Sequence, residues 1–150
     1  MNNNDVSKKE RMAHVLRYLK RNRLMSLGTS VRNKPWAATV FFAYDKNANL
    51  IFYSREDTRH CEHIKKNPYV SVVINHDWKE KGGFITGLQI AGRTSKISRI
   101  EYGRYYALYK SRFAWADEFA SDHALYLVKP AEIWYINQKL FGHFNRVKIM

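Results

Sequence analysis

The stretch LIFYSREDTRHCEHIKKNP, residues 50–68, combines a strand pattern, a polar turn and a helix pattern in close succession. Leu50–Tyr53 is an apolar run rich in residues that favour strands. Asp57 or Thr58 can cap the helix that follows, and Asn67-Pro68 ends it, because the residue before a proline disfavours helical backbone. The stretch therefore predicts a strand over 50–53 and a helix over about 58–66.

A strand-to-helix junction of this composition can bind an anion. The first N–H groups of a helix lack intrahelical partners, and Ser54, Thr58 and Arg59 would add hydroxyl and guanidinium donors. Glu56 and Asp57 would compete with a phosphate at the same helix start. The residues alone leave two interpretations open: a phosphate site, or an ordinary capped turn whose charges face water.

The composition indicates a folded protein with a core. The chain has 150 residues, of which 45% are hydrophobic, and this suits one domain over residues 1–150. Its single cysteine, Cys61, excludes an internal disulfide. No apolar run approaches membrane-spanning length, and the polar start is unlike a signal peptide. We therefore expect a soluble, cytoplasmic protein that does not associate with a membrane.

The charge is strongly positive, with 26 basic against 13 acidic residues and a formal net charge of +13. Such a charge attracts phosphate-bearing cofactors, nucleic acids or acidic surfaces without selecting among them. The chain also has ten tyrosines, eight phenylalanines and four tryptophans. Charge and aromatic content together support an alternative function, a nucleic-acid-binding domain without enzymatic activity.

The rest of the chain alternates strand patterns with short helices. Further strands are predicted over 24–30, 35–44, 69–75, 84–97, 124–128 and 133–136, and helices over 7–22, 98–110 and 114–122. Short polar links among the first three strands indicate an antiparallel meander. Gly87 and Gly92 mark expected bulges or bends. The sum predicts a mainly β fold, a small six- to seven-stranded antiparallel barrel with flanking helices.

Two short motifs extend this framework: Phe52-Tyr53-Ser54 with Thr58-Arg59-His60, and the run from Gly87 to Gly92, GLQIAG. They resemble the split-barrel FMN-binding proteins related to pyridoxamine 5′-phosphate oxidase, most closely the small YhbP-like proteins. The resemblance covers nearly the whole chain. It implies a split barrel that binds FMN and acts as a flavin-dependent oxidoreductase on a small molecule that the sequence does not identify.

The resemblance also implies which residues contact the cofactor. Ser54, Thr58 and Arg59 would bind the FMN phosphate, with His60 where relatives often have another basic residue. The backbone of residues 38–40 would run beside the isoalloxazine ring, and Gln89 would hydrogen-bond to its polar edge. The candidate cofactor-binding residues are therefore Ala38, Thr39, Val40, Tyr53, Ser54, Thr58, Arg59, His60 and Gln89.

The chain departs from the oxidase at the substrate site. The oxidase has basic residues on its second strand, whereas Ala38–Phe42 has none. Arg146 is only a loose match for the oxidase's basic substrate-binding residue near the C-terminus. The resemblance therefore does not extend to pyridoxamine phosphate oxidation, and we assign no catalytic residue.

The sequence gives weaker indications of two other ligands, a metal ion and haem. His60 and His63 have the i, i+3 spacing of a metal-binding pair, but no further ligands lie nearby in sequence, so we expect no metal site. Haem binding on the same barrel is a third functional alternative.

The resemblance further implies assembly into a homodimer with the cofactor between two subunits. A barrel this small cannot bury all of its aromatic residues, so some apolar surface should remain exposed for a partner subunit. The loop at 76–83 or the segment after Trp134 would complete the site of the neighbouring subunit.

Overall fold

The computed structural model describes residues 7–78 and 83–150. Its helices are α1 (Lys8–Arg21), α2 (Arg59–Lys66), α3 (Arg99–Arg112) and α4 (Gln138–Phe141), with a 3₁₀ helix at Ala114–Phe119. Its strands are β1 (Leu24–Val31), β2 (Lys34–Phe41), β3 (Ala43–Tyr44), β4 (Leu50–Arg55), β5 (Tyr69–Asn75), β6 (Thr86–Lys96), β7 (His123–Asn137) and β8 (Arg146–Lys148). No helix in these ranges is long and apolar enough to cross a membrane.

The strands form one antiparallel sheet in the order β2-β1-β5-β6-β7-β4-β3, and β8 also pairs with β7. β2 and β3 lie at opposite ends of this order, yet Phe42 alone separates them in the chain. The sheet must therefore curl until its two ends meet. This geometry confirms the predicted antiparallel split barrel, with eight strands when the short β3 and β8 are included.

The predicted meander of the first three strands is confirmed at both of its turns. β1 pairs with β2, and Ala43–Tyr44, the end of the strand predicted over 35–44, pairs with Leu50–Ile51 of β4. The fully buried Phe42 divides that predicted strand into β2 and β3. The pattern did not predict that β4 also pairs with β7, where Tyr53 lies opposite Leu125, because turn residues indicate only pairings between neighbours in the chain.

The C-terminal half also differs from its prediction. The two strands expected around Lys129-Pro130 form the single strand β7. The register with β6 shifts between Ala91 and Gly92, and such a bulge is a position where a strand tolerates proline. A Cβ atom at Gly92 would lie 2.6 Å from the Lys129 carbonyl oxygen, which explains the glycine. The bulge at Gly92 is thus confirmed, whereas the register continues unbroken through Gly87.

β4 lies between two apolar cores, and this explains why its sequence is apolar without alternation. Leu50 and Phe52 face the barrel interior, which α1 and α2 also cover. Ile51 and Tyr53 face the opposite way, into a second cluster beneath α3. All residues from Leu50 to Ser54 are buried. The stretch that decides the fold is therefore the strand that joins both cores.

Local caps place two of the helices. Ser7 and Glu10 form the predicted reciprocal capping box at the start of α1. The Ser98 hydroxyl accepts a hydrogen bond from the Glu101 N–H at the start of α3. The predicted helix over 114–122 is shorter and of 3₁₀ type. The segment after β7 adds α4 and β8, which the sequence pattern did not indicate.

Candidate functional site

The acidic residues before α2 are already paired with cations. Asp57 accepts two hydrogen bonds from Arg55, at 3.0 Å from Nε and 2.5 Å from Nη2. Glu56 accepts a hydrogen bond from the Lys96 ammonium at 2.7 Å. These pairs neutralise both carboxylates that would otherwise repel an anion at this helix start. Neither carboxylate caps α2, so of the two residues predicted for the cap, Asp57 and Thr58, it is Thr58 that occupies the N-cap position.

Thr58 occupies the N-cap position, but its side chain makes no capping hydrogen bond. Its hydroxyl donates to the Arg55 carbonyl oxygen at 2.9 Å and lies 3.3 Å from His60 Nε2. Ser54 Oγ lies 2.9 Å from the same nitrogen, so the His60 imidazole connects the two hydroxyls.

His60 is buried with Ser54 behind the start of α2. Burial lowers the pKa of His60 below its ordinary value of 6.5, and the nearby positive charge of His63 lowers it further. The imidazole is therefore neutral near pH 7, and it acts there as a hydrogen-bonding group rather than as a cation. A neutral imidazole adds no positive charge to the start of α2 near pH 7.

Arg59 begins α2 and stacks on an aromatic ring of the edge strand. Its guanidinium carbon lies 4.2 Å from the centroid of Trp36. Within residues 7–78 and 83–150 it forms no ion pair. Stacking on a ring face fixes a guanidinium while its N–H groups remain available in the plane. Arg59 is thus a positioned cation that no carboxylate of the described residues neutralises.

A groove of about 720 Å³ opens beside Trp36 across β2, β1 and β5. Trp36 and Tyr69 line it, with 41% and 65% of their surfaces exposed. Gly28 and Ser71 also line it, and a Cβ atom at Gly28 would lie only 2.3 Å from Ser71 Oγ. Sequence reasoning missed this groove because its residues come from three strands. The isolated Gly28 inside a strand was its available signal.

β2 is the edge strand of the sheet beside this groove. Ala38 and Val40 lie opposite Leu27 and Met25, so their side chains face the barrel, whereas Thr39 is exposed. One side of the β2 backbone has no strand partner in the described ranges. Its N–H and C=O groups are therefore available to the polar atoms of a ligand.

Tyr53 and Gln89 lie apart from the other candidate residues. Tyr53 faces α3, where its ring contacts Tyr106 and Tyr109, on the opposite side of β4 from Ser54. Gln89 is exposed on the outer face of β6, and β1 and β5 separate that strand from β2. Three strand spacings, roughly 14 Å, lie between Gln89 and β2. The structure thus brings together Ser54, Thr58, Arg59 and His60.

A second pocket of about 440 Å³ lies beside Gln89 on the same outer face. Glu132, Trp134 and Arg146 contribute to it. The Trp134 indole N–H donates to Glu132 Oε1 at 2.8 Å. Arg146 therefore lies near Gln89 rather than near Arg59, and the two halves of the candidate cofactor site occupy different parts of one chain.

His60 and His63 do not form a metal-binding pair in this geometry. His60 bonds to Ser54 on β4, whereas His63 Nδ1 lies 3.0 Å from the hydroxyl of Thr29 on β1. The part of the chain that the structure describes holds no group of three metal-ligating side chains. Both imidazoles thus connect α2 to the sheet.

Two protein relatives match most of this chain. A UPF0306 protein from Klebsiella pneumoniae is 27% identical over 143 residues, which cover 91% of this chain and 95% of the relative. A UPF0306 protein from Campylobacter jejuni is 29% identical over 114 residues, covering 75% and 82%. The similarity extends over nearly the whole length of these relatives.

Solved structures share the fold at low identity. A candidate pyridoxamine 5′-phosphate oxidase from Listeria innocua has a TM-score of 0.67 at 19% identity, covering 83% of this chain and 96% of its own. An FAD-binding protein from Mesorhizobium loti has a TM-score of 0.70 at 16% identity, covering 83% and 91%. The haem storage protein HutZ from Vibrio cholerae has a TM-score of 0.72 at 16% identity, covering 83% and 93%. Proteins with this fold therefore include flavin binders and haem binders.

The family assignment comes from sequence as well as from fold. The family model described as pyridoxamine 5′-phosphate oxidase matches residues 12–137, from the middle of α1 to the end of β7. The match includes every candidate cofactor-binding residue, on β2, β4, α2 and β6 and at Thr58, the N-cap of α2. This chain belongs to the pyridoxamine 5′-phosphate oxidase family.

Proposed function

We propose that the protein binds FMN between the start of α2 and the edge strand β2, as a flavin-dependent oxidoreductase for a small-molecule substrate. The observation that carries the proposal is Arg59, a cation at a helix N-terminus that is held on Trp36 and has no carboxylate partner among the described residues. A phosphate dianion is the ligand that such a cation favours.

The phosphate would lie against Thr58 and Arg59. Asp57 and Glu56 are paired with Arg55 and Lys96, so their charges oppose phosphate binding less than those of free carboxylates. The hydrogen-bond contacts of His60 with Ser54 and Thr58 fix the hydroxyls behind the helix start. This arrangement supports a preorganised phosphate site that needs little rearrangement on binding.

The ring system would lie along β2. The strand offers unpaired backbone groups at 38–40 beside apolar side chains, and these match the polar edges and apolar body of an isoalloxazine. Bound flavin would supply hydride or electron transfer. The chain's own residues would bind and orient the cofactor, with Arg59 at the phosphate and the β2 backbone at the ring.

The separation of Gln89 from β2 supports a site shared between two copies of the chain. Gln89 would then reach the flavin that the other copy holds, as part of a two-fold symmetric homodimer. Val73 and Trp36, 42% and 41% exposed, provide apolar surface for such an interface. Of the loop at 76–83, residues 79–82 lie outside the described ranges, so its part in completing the site stays a prediction.

Flavin titration tests the cofactor. The purified protein should bind FMN with a dissociation constant below tens of micromolar, an order set by usual cofactor affinities. Arg59→Ala should weaken binding by about 1.5–3 kcal/mol, roughly 10- to 150-fold, because one charge-assisted interaction is lost. Arg99→Ala, which removes the same charge from the exposed start of α3, should leave the affinity unchanged. Equal losses in both variants, or no binding by the wild type, would reject the site.

The same titrations separate haem from flavin. HutZ stores haem on this fold, so haem should be titrated alongside FMN, and a Soret band without flavin binding would replace the proposal. Light scattering tests the assembly, since a mass near 17.8 kDa, that of a single chain, would exclude the shared site.

A further inference from the structure

A pocket of about 430 Å³ lies where the end of α1, the end of α3 and β3 meet. Three cationic side chains line it, namely Lys20, Arg23 and Arg112. It shares no lining residue with the groove beside Trp36. Its volume is within the range of roughly 300–1,000 Å³ that is usual for small-molecule sites.

Arg112 is the fixed charge of this pocket. Its Nη2 donates to the carbonyl oxygens of Leu19 at 2.9 Å and Lys20 at 3.4 Å, and also to that of Asn22. Its guanidinium carbon lies 5.0 Å from the ring centroid of Phe42 and 5.2 Å from that of Tyr44. These contacts hold the guanidinium in one place, so a ligand would not have to order it.

The hydrogen-bonding capacity of Arg112 is not exhausted. Its Nη1 is buried and has no hydrogen-bond partner in the described parts of the chain. Burial lowers the pKa of Arg112 below its ordinary value, the interaction with Tyr44 raises it in part, and the like charge of Arg23 lowers it. Burial and the repulsion from Arg23 thus disfavour the charged guanidinium, and a bound anion would offset both.

Among the described residues, no carboxylate neutralises the cations of the pocket. None of Lys20, Arg23 and Arg112 forms an ion pair within the residues that the structure describes. The neighbouring Asp45 accepts hydrogen bonds from the Asn47 and Asn49 backbones, at 2.9 and 3.0 Å.

Asp117, which follows α3, is engaged as well. It accepts from the Lys110 ammonium and from the Tyr106 hydroxyl. The acidic groups on the adjoining elements are thus committed to partners of their own. The positive field of the pocket remains available to a ligand from solution.

We infer that this pocket is a binding site for the phosphate group of a small molecule, separate from the candidate flavin site. Lys20 and Arg23 would close on the phosphate from the exposed side, and Arg112 would supply the fixed charge behind it. Arginine and lysine around one cavity favour a compact dianion, because several charge-assisted donors can converge on its oxygens. The side chains of Leu108 and Tyr44 would contact the remainder of the molecule.

Residue-resolved NMR titration tests the inference. Inorganic phosphate and glycerol 3-phosphate would be added separately at constant ionic strength. We expect saturable shifts of the Tyr44, Ser111 and Arg112 amides, which report on this pocket independently of those of Thr58 and Arg59. Tighter binding of the monoester would identify a phosphorylated small molecule as the occupant, and equal binding would identify the free ion. Either result supports a phosphate site.

A pair of charge-matched double variants supplies the control. Lys20→Gln/Arg23→Gln should weaken the binding at least tenfold, because two charge-assisted donors are lost. Lys8→Gln/Lys9→Gln removes the same charge from the exposed first turn of α1 and should change the affinity less than about twofold, since salt screens distant charges. All four positions are exposed, so both variants should fold, which circular dichroism would verify. Equal weakening in both variants, or shifts that do not saturate, would overturn the inference.

Discussion

Two cationic regions of this molecule differ in whether their basic residues have acidic partners. At the β4–α2 junction, three of the basic residues are neutralised by acidic residues: Arg55 by Asp57, Lys96 by Glu56 and Lys65 by Glu62. At the α1–α3 junction, the described residues provide no carboxylate for Lys20, Arg23 or Arg112. The first region is built mainly from neighbours in sequence, whereas Arg112 reaches a carbonyl 93 residues away.

The charges of the β4–α2 junction are mostly bound to acidic partners, whereas the charge of Arg112 holds elements of the fold together. Paired surface charges contribute little to stability, so substitution of the paired residues at the β4–α2 junction should cost little free energy of unfolding. Arg59 stays available to a ligand. The guanidinium of Arg112 instead satisfies the last carbonyl groups of α1 and joins two helices. Removing a charge should therefore have very different effects in the two regions.

The largest expected change in the free energy of unfolding comes from substitution of Arg112. Arg112→Ala should lower the free energy of unfolding by about 2–4 kcal/mol, because carbonyl groups of α1 lose their donor and the rings of Phe42 and Tyr44 lose a packing partner. Arg104→Ala, on the exposed face of the same helix and 3.6 Å from Glu101, should lower it by less than about 1 kcal/mol. Urea unfolding measures both. Similar losses for the two variants would remove the distinction between the regions.

An intermediate effect is expected from His60, and it should depend on pH. Burial first and His63 second lower the pKa of His60 below 6.5, so the unfolded chain binds a proton that the folded chain excludes. The stability of the wild type should therefore fall as the pH decreases below about 6.5, by at most about 1.4 kcal/mol per pH unit for one proton. His60→Gln should flatten this dependence in thermal unfolding measured between pH 5 and pH 8.

The matched control is His143→Gln, an exchange at an exposed loop position. That variant should keep the pH dependence of the wild type. A dependence that survives unchanged in His60→Gln would show that other groups determine it.

The smallest expected change in the free energy of unfolding comes from substitution of Glu56. The Glu56–Lys96 pair has a short contact of 2.7 Å, but both side chains are about half exposed. Glu56→Gln should lower the free energy of unfolding by less than about 1 kcal/mol, and added salt should shrink the difference further. Glu118→Gln, at an exposed position in the 3₁₀ helix, is the comparison. A loss at Glu56 as large as that at Arg112 would mean that the β4–α2 charges are structural too.

The fold was predictable from the sequence where its causes are local. The strand at 50–53, the helix at 58–66 and the cap at Ser7 follow from residues within a few positions of one another, and the structure contains all three. The pairing of β4 with β7 was not predictable in this way, since the turn signals around β4 favoured its neighbours in the chain. The stacking of Arg59 on Trp36 was missed for the same reason.

The candidate site shows the same division. Ser54, Thr58 and His60 are close in sequence, and they form one hydrogen-bonded group. Tyr53 could have been separated from Ser54 by strand alternation alone, because adjacent residues on a strand face opposite sides. The position of Gln89 relative to β2 depends on the strand order, which no local pattern contains.

The place of β4 in the sheet also has a consequence for synthesis on the ribosome. This strand is buried on both faces, and its longer pairing is with residues 123–128 of β7, while the two-residue strand β3 pairs with its other edge. At roughly 5–20 residues per second, translation leaves the apolar run at Leu50 without β7 for several seconds. Pairings so distant in sequence also slow folding, because the intervening chain must first be ordered. A nascent chain stalled before β7 should therefore bind chaperones that recognise exposed apolar strands.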